Sequence, residues 1–277
     1  MAQSRKAAYV KGDSARGMMM TGSLLQMVLG RMVIGLRPMV QALCFAVLAI
    51  MALSPKMAEA QSSATGPVVV ELFTSQGCSS CPPADALLNE LATRGDVLPL
   101  GLHVDYWDYI GWPDTFAQPQ FSRRQEAYVR AAGGRRVYTP HMVVGGHDHL
   151  VGAQPMELAD LIRAHAAQGY PVAVELIRSA DGYRLMAQTT QTAPMVVQVI
   201  RYTPRAEVDI TRGENAGRDA HYSNVVRGLE ILGDWDGRAP FVRTITAEAE
   251  MDLAVVVQAR LGAGALGPVM GAARAPQ

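Results

Sequence analysis

Apolar and polar residues alternate in blocks from about residue 67, and each block has the length of one strand or one helix. Continuous apolar runs predict buried strands, whereas apolar residues at helical spacing predict amphipathic helices. Strands are predicted over 68–73, 97–104 and 142–144, with a fourth around 150–151, and helices over 82–94, 116–132 and 156–167. The order β-α-β-α-β-β-α predicts an α/β fold with a mixed sheet and helices on both of its faces.

Helical spacing disappears from Pro171 onward. The turn sequence Ser179-Ala180-Asp181-Gly182 predicts a hairpin. Short β-type runs occupy 172–177, 183–188, 196–202, 207–210, 241–245 and 253–258. We therefore expect a mostly antiparallel β region after the α/β part, with a frayed tail from Gly262. The predicted organisation is an N-terminal extension over 1–60, an α/β domain over 61–168 and a β-rich domain over 169–277.

The first sixty residues have the pattern of a secretory signal peptide. An apolar run over 39–53 follows Arg31 and Arg37, and it ends near the small residues Ala58 and Ala60. We interpret this as a signal cleaved before Gln61, which predicts a periplasmic or secreted protein. The alternative is an uncleaved membrane anchor, although about 15 apolar residues are fewer than the roughly 20 that span a bilayer.

Cleavage at that position changes the charge and cysteine inventory. The first sixty residues hold seven of the 25 basic and two of the 25 acidic side chains, so the remainder has 18 basic and 23 acidic groups, net −5. A mildly acidic chain without a basic stripe argues against nucleic acid as a partner. Cys44 is lost with the signal, and the two remaining cysteines form one Cys-x-x-Cys pair, typical of redox proteins in an exported chain.

That pair, Cys78 and Cys81, lies between the first predicted strand and the first predicted helix. The positive end of a helix stabilises a thiolate, which is the attacking species in disulfide exchange. We expect Cys78 to be the outer, attacking thiol and Cys81, in the first helical turn, to resolve the mixed disulfide. A structural disulfide and half of a metal site are the alternatives, but a bridge this short restricts the unfolded chain little.

Two further segments are expected near the cysteines. Thr139-Pro140 precedes the third strand, and a cis proline there would present the Thr139 backbone to a substrate as an added strand. An ordinary loop proline is the alternative. Trp107 belongs to an aromatic stretch that follows the second strand, and it either contacts substrate or fills the core. An acidic group near the pair would relay protons to Cys81.

Several strings of the sequence carry a family resemblance: VVELFTSQGCSSCPPAD, HVDYWDYIGW, RRQEAYV, VYTPHMVVGG and GENAG followed by NVV. Together they resemble the secreted family of unknown function DUF1223, and the strand–CSSCPP–helix arrangement resembles the thioredoxin-like superfamily. The resemblance implies a thioredoxin-like mixed sheet with flanking helices, followed by an extra β region. It implies no reaction, and only Cys78, Cys81 and Pro140 correspond to superfamily site residues. His141 stands where the family usually has Gln.

The predicted function is thiol–disulfide exchange with protein or small-molecule thiols and disulfides, without an organic cofactor. The first alternative is a metal-binding or metal-delivery protein that uses Cys78, Cys81 and a histidine, most plausibly His141, with His147 and His149 nearby in sequence. The second is a peptide-binding module with little turnover. The polar stretch 213–217 either approaches the cysteines or forms only a hydrogen-bonded loop.

Overall fold

The computed structural model describes residues 64–262 and 265–276, and this part of the chain contains three α-helices and eleven β-strands. The predicted signal segment over residues 1–60 lies outside the described residues. The helices are α1 (Pro82–Leu91), α2 (Pro119–Ala131) and α3 (Pro155–Gln168). The strands are β1 (Val68–Thr74), β2 (Val97–His103), β3 (His141–Val144), β4 (Asp148–Val151), β5 (Val172–Ser179), β6 (Gly182–Thr189), β7 (Met195–Ile210), β8 (Arg218–Trp235), β9 (Phe241–Thr246), β10 (Asp252–Arg260) and β11 (Leu266–Arg274).

Eight strands form one mixed sheet in the order β11-β10-β7-β8-β2-β1-β3-β4. β1 pairs in parallel with β2 and antiparallel with β3, which in turn pairs antiparallel with β4. The predicted element order of the first half and the mixed α/β sheet are thereby confirmed. β8 joins β2 in parallel, with Gly101 opposite Val225, and this pairing links the two halves of the chain.

β1 is buried on both faces, as its continuous apolar sequence predicts. Val69 and Phe73 face a core that includes residues of α2, whereas Val70 and Leu72 pack with residues of α1 and α3. Helices therefore cover both faces of the sheet. The segment 75–81 is held between the carboxyl end of β1 and the start of α1, which fixes the position of the cysteine pair.

A buried charge network ties α2 to the sheet. The guanidinium of Arg124 donates to Glu71 of β1 at 2.8 Å and to Gln198 of β7 at 3.0 Å. It also donates to Gln258 of β10 and to the hydroxyl of Tyr128. Each partner lies on a different element, so this network joins strands from both halves of the chain.

The remaining strands form a three-stranded antiparallel sheet in the order β5-β6-β9. Its apolar residues pack against alternate residues of β7 and β10, such as Val197 and Val255. The opposite faces of the same strands, such as Ile200 and Val256, contribute to the core beneath α2. The C-terminal part is therefore mostly antiparallel β structure, as predicted.

Three details of the predicted β region are wrong. β7 is one 16-residue strand where the pattern indicated two short runs. β8, with 18 residues, was not predicted, because polar and charged residues interrupt its apolar ones and most of its side chains are half-buried or exposed. The tail after Gly262 is not frayed: β11 is the edge strand of the large sheet and pairs with β10. Its small residues permit close packing, since a side chain at Gly271 would contact the backbone of Val172.

The predicted boundary at residues 168 and 169 falls between α3 and β5. Residues from both sides of it share one hydrophobic core, in which Val69 and Phe73 pack with Ile200, Val226 and Val256. The described residues all belong to one compact unit. The division into two domains stays a prediction that a fragment experiment can test.

Within residues 64–262 and 265–276, no helix has both the length and the apolar character needed to cross a membrane.

Candidate functional site

The cysteine pair lies at the junction of β1 and α1. Cys78 and Cys81 form a disulfide with a Cα–Cα distance of 5.4 Å. Cys81 is the N-cap of α1, and proline occupies the first helical positions, where a backbone N–H is not required. No side chain caps the helix, and Cys81 itself lies at the end that carries the positive pole of the helix dipole.

Both cysteines are buried, although the two serines between them are exposed. Cys78 has 2% of its surface accessible and Cys81 has 0%. Cys78 is thus more accessible than Cys81 only by a small margin, and its role as the attacking thiol stays a prediction. The Oγ atom of Ser80 lies 3.4 Å from Cys78 Sγ. An incoming group must therefore reach the disulfide past the Ser79-Ser80 segment or displace neighbouring residues.

The segment after β2 lies against the loop that precedes Cys78. A side chain at Gly77 would touch Ile110 and Trp107 at 3.4–3.5 Å, so these two residues pack directly on Gly77. Trp107 is half-buried, and Tyr109 is exposed. Trp112 donates from its indole nitrogen to Gln76 Oε1 at 2.8 Å. The aromatic stretch predicted from sequence therefore packs on residues 75–81, the cysteine loop.

Thr139 and Pro140 are also close to the cysteine loop. The Thr139-Pro140 peptide bond is cis. The indole N–H of Trp107 donates to Thr139 Oγ1 at 2.7 Å, and the Ser80 hydroxyl donates to the Thr139 carbonyl at 3.4 Å. Pro140 itself is buried. Cys78, Cys81, Trp107, Thr139 and Pro140, which the sequence singled out, thus belong to one continuous set of contacts.

The polar loop between β7 and β8 approaches the cysteines. Asn215 is buried, and its amide nitrogen donates to the carbonyls of Gln76 and Cys78, at 2.9 Å in each case. Because both partners are carbonyls, the amide orientation is fixed, and its Oδ1 atom has no hydrogen-bond partner among the described residues. Of the two possibilities that the sequence left open, the loop contacts the cysteine segment.

A buried histidine and a buried carboxylate hold the cysteine loop from the side of β2. Asp114 Oδ2 accepts from the backbone N–H of Gln76 and lies 2.7 Å from His103 Nδ1. Both side chains are buried, and the His103 ring packs edge-on against Phe116 and Tyr222. Asp114 was not expected at the site, since no local pattern marks a loop carboxylate as buried.

Asp85 is the second acidic residue that sequence reasoning missed. It lies one helical turn after Cys81 and accepts a hydrogen bond of 2.7 Å from the Thr74 hydroxyl at the end of β1. Burial raises the pKa of Asp85 to about 7, against the opposing effects of the Thr74 hydrogen bond and of His103. At neutral pH this carboxyl group is therefore divided between its protonated and ionised forms.

Asp85 also lines a cavity of about 360 Å³ beside the cysteine segment. The walls come from the start of α1 and from the β7–β8 hairpin, and they include Ser75, Asn89, Asn215 and Tyr222. The cavity gives a buried carboxyl group near the disulfide a route to solvent or to a small ligand.

His141 is buried in the sheet, and both of its ring nitrogens have protein partners. Nε2 lies 2.8 Å from Nδ1 of His149, and Nδ1 lies 3.3 Å from the amide of Gln125. Burial lowers the pKa of His141 to about 3, so the ring is neutral at physiological pH. These contacts give no support to the sequence-based alternative in which His141 shares a metal ion with Cys78 and Cys81.

The fold and the disulfide define the class: a mixed α/β protein with a Cys-x-x-Cys pair at the N-terminus of a helix that follows the buried strand β1. The chain belongs to the family DUF1223, described as a protein of unknown function, whose model matches residues 69–258. A comparison with curated proteins gives no significant match.

Two solved structures are similar to the chain. The crystal structure of protein AGR_C_4864 from Agrobacterium tumefaciens is 33% identical, with a TM-score of 0.68, over 78% of this chain and 96% of that one. HBP35 of Porphyromonas gingivalis is 14% identical, with a TM-score of 0.55, over 76% of this chain and 75% of that one. The second likeness concerns the fold alone.

Proposed function

We propose that this protein is an exported thioredoxin-like thiol–disulfide oxidoreductase that acts through Cys78 and Cys81. The observation that carries the proposal is the disulfide at the N-terminus of α1, in a loop that Trp107, Thr139 and Asn215 contact. A helix N-terminus favours the thiolate form of an adjacent cysteine. The order of strands and helices around β1 supports the thioredoxin-like assignment.

The exchange proceeds through a mixed disulfide. In the reduced protein, the Cys78 thiolate attacks a partner disulfide, and one partner sulfur leaves as a thiolate and takes up a proton. Cys81 then loses its proton and attacks the Cys78 sulfur, which releases the second partner thiol. The protein dithiol is oxidised by two electrons and the partner disulfide is reduced. The reverse sequence oxidises a partner dithiol, and the reduction potential relative to the compartment sets the direction.

Asp85 is the candidate proton acceptor for Cys81. It lies one helical turn beyond that residue, and burial gives it a pKa of about 7, the range in which a carboxyl group both accepts and returns a proton. The cavity next to Asp85 allows water to carry the proton. This assigns the proton-relay role to a residue of α1.

The burial of Cys78 implies a gate. Trp107 and Ile110 pack on Gly77, and the Ser80 hydroxyl bonds to Thr139, so a partner must displace some of these contacts to reach the sulfur. The segment that carries Trp107 has only a short 3-10 turn, Asp108–Ile110, and its residues are half-buried or exposed, which makes its displacement less costly than that of a buried strand or helix. A protein partner would then contact Trp107 and the Thr139 backbone.

The deciding experiment is a mixed-disulfide trap in the organism's own cell envelope. The Cys81→Ser variant keeps the attacking thiol and lacks the resolving one, so it should accumulate partners linked through Cys78 that a reductant releases. The Cys78→Ser variant is the matched control and should trap none. An empty trap, together with failure of the wild type to cycle with dithiothreitol and glutathione disulfide, would refute the proposal.

Export is tested separately. We propose that the protein is periplasmic or secreted and that cleavage leaves Gln61 as the first residue. Fractionation of cells that express the full chain, followed by N-terminal sequencing, should find the processed form outside the cytoplasm. An unprocessed chain in the cytoplasm would contradict this part of the proposal.

A further inference from the structure

A cluster of two histidines and one aspartate lies away from the cysteines, where the β3–β4 hairpin meets the last turn of α3. It consists of His147, Asp148 and His165. His165 Nε2 lies 2.8 Å from Asp148 Oδ2, and His147 Nε2 lies 3.5 Å from the same oxygen. One ligand atom from each of the three residues lies within 4.8 Å of the other two. Ligand atoms at about 2.0–2.2 Å from a tetrahedral ion are roughly 3.3–3.6 Å apart, so the separation of His147 from Asp148 fits directly. An ion would replace the proton that His165 Nε2 shares with Asp148, and these two atoms would move apart slightly.

The His147 ring already has the tautomer that metal binding requires. Its Nδ1 atom lies 3.2 Å from the carbonyl oxygen of Gly145, and a carbonyl can only accept, so Nδ1 carries the proton. The lone pair is then on Nε2, the atom directed toward Asp148. A backbone carbonyl that orients a histidine through its other nitrogen is a common outer contact in metal sites.

The His165 ring is held in place by the hairpin backbone. A side chain at Gly145 would overlap this ring, and Gly145 has a φ of +59°, so both space and conformation require glycine there. The side chain of His165 is only 10% exposed, compared with 45% for His147 and 40% for Asp148. One ligand is thus rigidly placed, and the other two remain accessible to an ion from solvent.

The cluster opens onto a cavity. His147 and His165 both line a space of about 430 Å³, whose other walls include Gln168, Tyr170 and Gln191. Three protein ligands beside an open space correspond to zinc sites that keep one coordination position for water or a small ligand, and not to closed structural sites with four protein ligands.

We infer that His147, Asp148 and His165 bind a divalent transition-metal ion of the zinc type, with an open coordination position directed at this cavity. Imidazole nitrogens favour Zn²⁺, Cu²⁺ and Ni²⁺, whereas Ca²⁺ and Mg²⁺ prefer oxygen ligands. The inference does not depend on the redox proposal, because the cluster contains neither cysteine.

The test is Zn²⁺ titration by calorimetry on tag-free, metal-stripped protein with the cysteine pair oxidised. Wild type should bind one Zn²⁺ per chain, and His147→Gln, Asp148→Asn and His165→Gln should each weaken binding at least tenfold. His221→Gln is the matched control, because His221 is also an exposed histidine beside a carboxylate, Glu207. It should leave binding unchanged, as should Cys78→Ser with Cys81→Ser.

A second readout keeps the test independent of folding. His147 is exposed, so His147→Gln should retain the wild-type circular dichroism spectrum and melting temperature even if His165→Gln does not. Bound Co²⁺ should give visible ligand-field bands in wild type that His147→Gln alters. Absence of stoichiometric Zn²⁺ binding, or equal binding by His147→Gln and wild type, would overturn the inference.

Discussion

Asp85 shows how one side chain links the stability of the fold to the proposed chemistry. Its carboxyl group is buried beside Thr74, and burial raises its pKa to about 7 from the ordinary 3.8. The folded state therefore binds more protons than the unfolded state between these two pH values. By linkage, Asp85 must reduce stability as the pH rises through this range, and the loss is complete above about pH 7.

Replacement of Asp85 by Asn should remove this pH dependence while keeping an oxygen that accepts from Thr74. Between pH 5 and pH 8, the unfolding free energy of wild type should fall by about 2–3 kcal/mol more than that of Asp85→Asn. The reason is that each pH unit within the shifted titration range contributes about 1.4 kcal/mol. Urea unfolding at both pH values measures this. The difference from wild type is the relevant quantity, because burial lowers the pKa of His141 and gives an opposite slope.

Asp219→Asn, which removes an exposed carboxylate from the same cavity, is the matched control for Asp85→Asn. The unfolding free energy of Asp219→Asn should differ from wild type by the same amount at pH 5 and pH 8. If the same holds for Asp85→Asn, Asp85 is not the buried acid described above. A loss of resolving rate by Asp85→Asn, without loss of the attack by Cys78, would support its role as proton acceptor.

At the scale of elements, the site depends on a loop supplied by the longest strand pair. β7 and β8 pair from Met195 and Trp235 outward to Ile210 and Arg218, and the connection between them delivers Asn215 to the cysteine segment. The two buried carbonyls of Gln76 and Cys78 both accept from this single amide. Loss of that amide leaves the buried Gln76 carbonyl without a donor, whereas the Cys78 carbonyl still accepts from the backbone N–H of Cys81. One unsatisfied buried group costs about 1–3 kcal/mol.

Asn215→Ala should therefore destabilise the protein by about 1–3 kcal/mol, and it should also accelerate reduction of the disulfide by dithiothreitol, because the cysteine loop loses an anchor. Asn89→Ala is the matched control, since Asn89 makes one exposed hydrogen bond to the carbonyl of His221. Thermal melts and reduction rates measure both effects. Equal behaviour of the two variants would show that Asn215 does not brace the loop.

Local sequence predicted the elements around the cysteines but not the partner that braces them. The apolar run of β1 and the prolines after Cys81 are local signals, and they located the strand, the helix and the pair correctly. β8 has no such signal, because much of it is polar and half-exposed, and its pairing with β2 and β7 joins residues far apart in sequence. The burial of Asp85 and Asp114 depends on those distant elements, so it was not predictable from the local pattern.

At the scale of the whole molecule, the two sequence halves share their core and their sheet. β8 is inserted beside β2, and α2 packs on a cluster that includes Ile200, Tyr202 and Val226. The Arg124 network also needs Gln198 and Gln258 from the C-terminal half. Glu71 and Tyr128 would still pair with Arg124 in their absence, but a buried guanidinium N–H that loses its acceptor costs about 1–3 kcal/mol or more.

The fragment 61–168 should therefore fail to fold alone, although the sequence pattern suggested that it is a domain. It would expose the edge of β2 that pairs with β8 and the apolar residues that pack with Ile200, Val226 and Val256, and it would leave Arg124 without two of its partners. Circular dichroism and thermal unfolding of the fragment, compared with 61–277, measure this. A cooperative melt of the fragment would instead support the boundary at residue 168.

The central claim is that Cys78 is a reactive and reachable thiol despite its small exposed surface, and native-state alkylation tests it most directly. The reduced protein is treated with limiting iodoacetamide at pH 6.5, and mass mapping follows each cysteine, with the urea-unfolded chain as the reference. The account predicts that native Cys78 is alkylated at least tenfold faster than Cys81 and faster than Cys78 in the unfolded chain. Native Cys78 that stays unmodified while the unfolded chain reacts would contradict it.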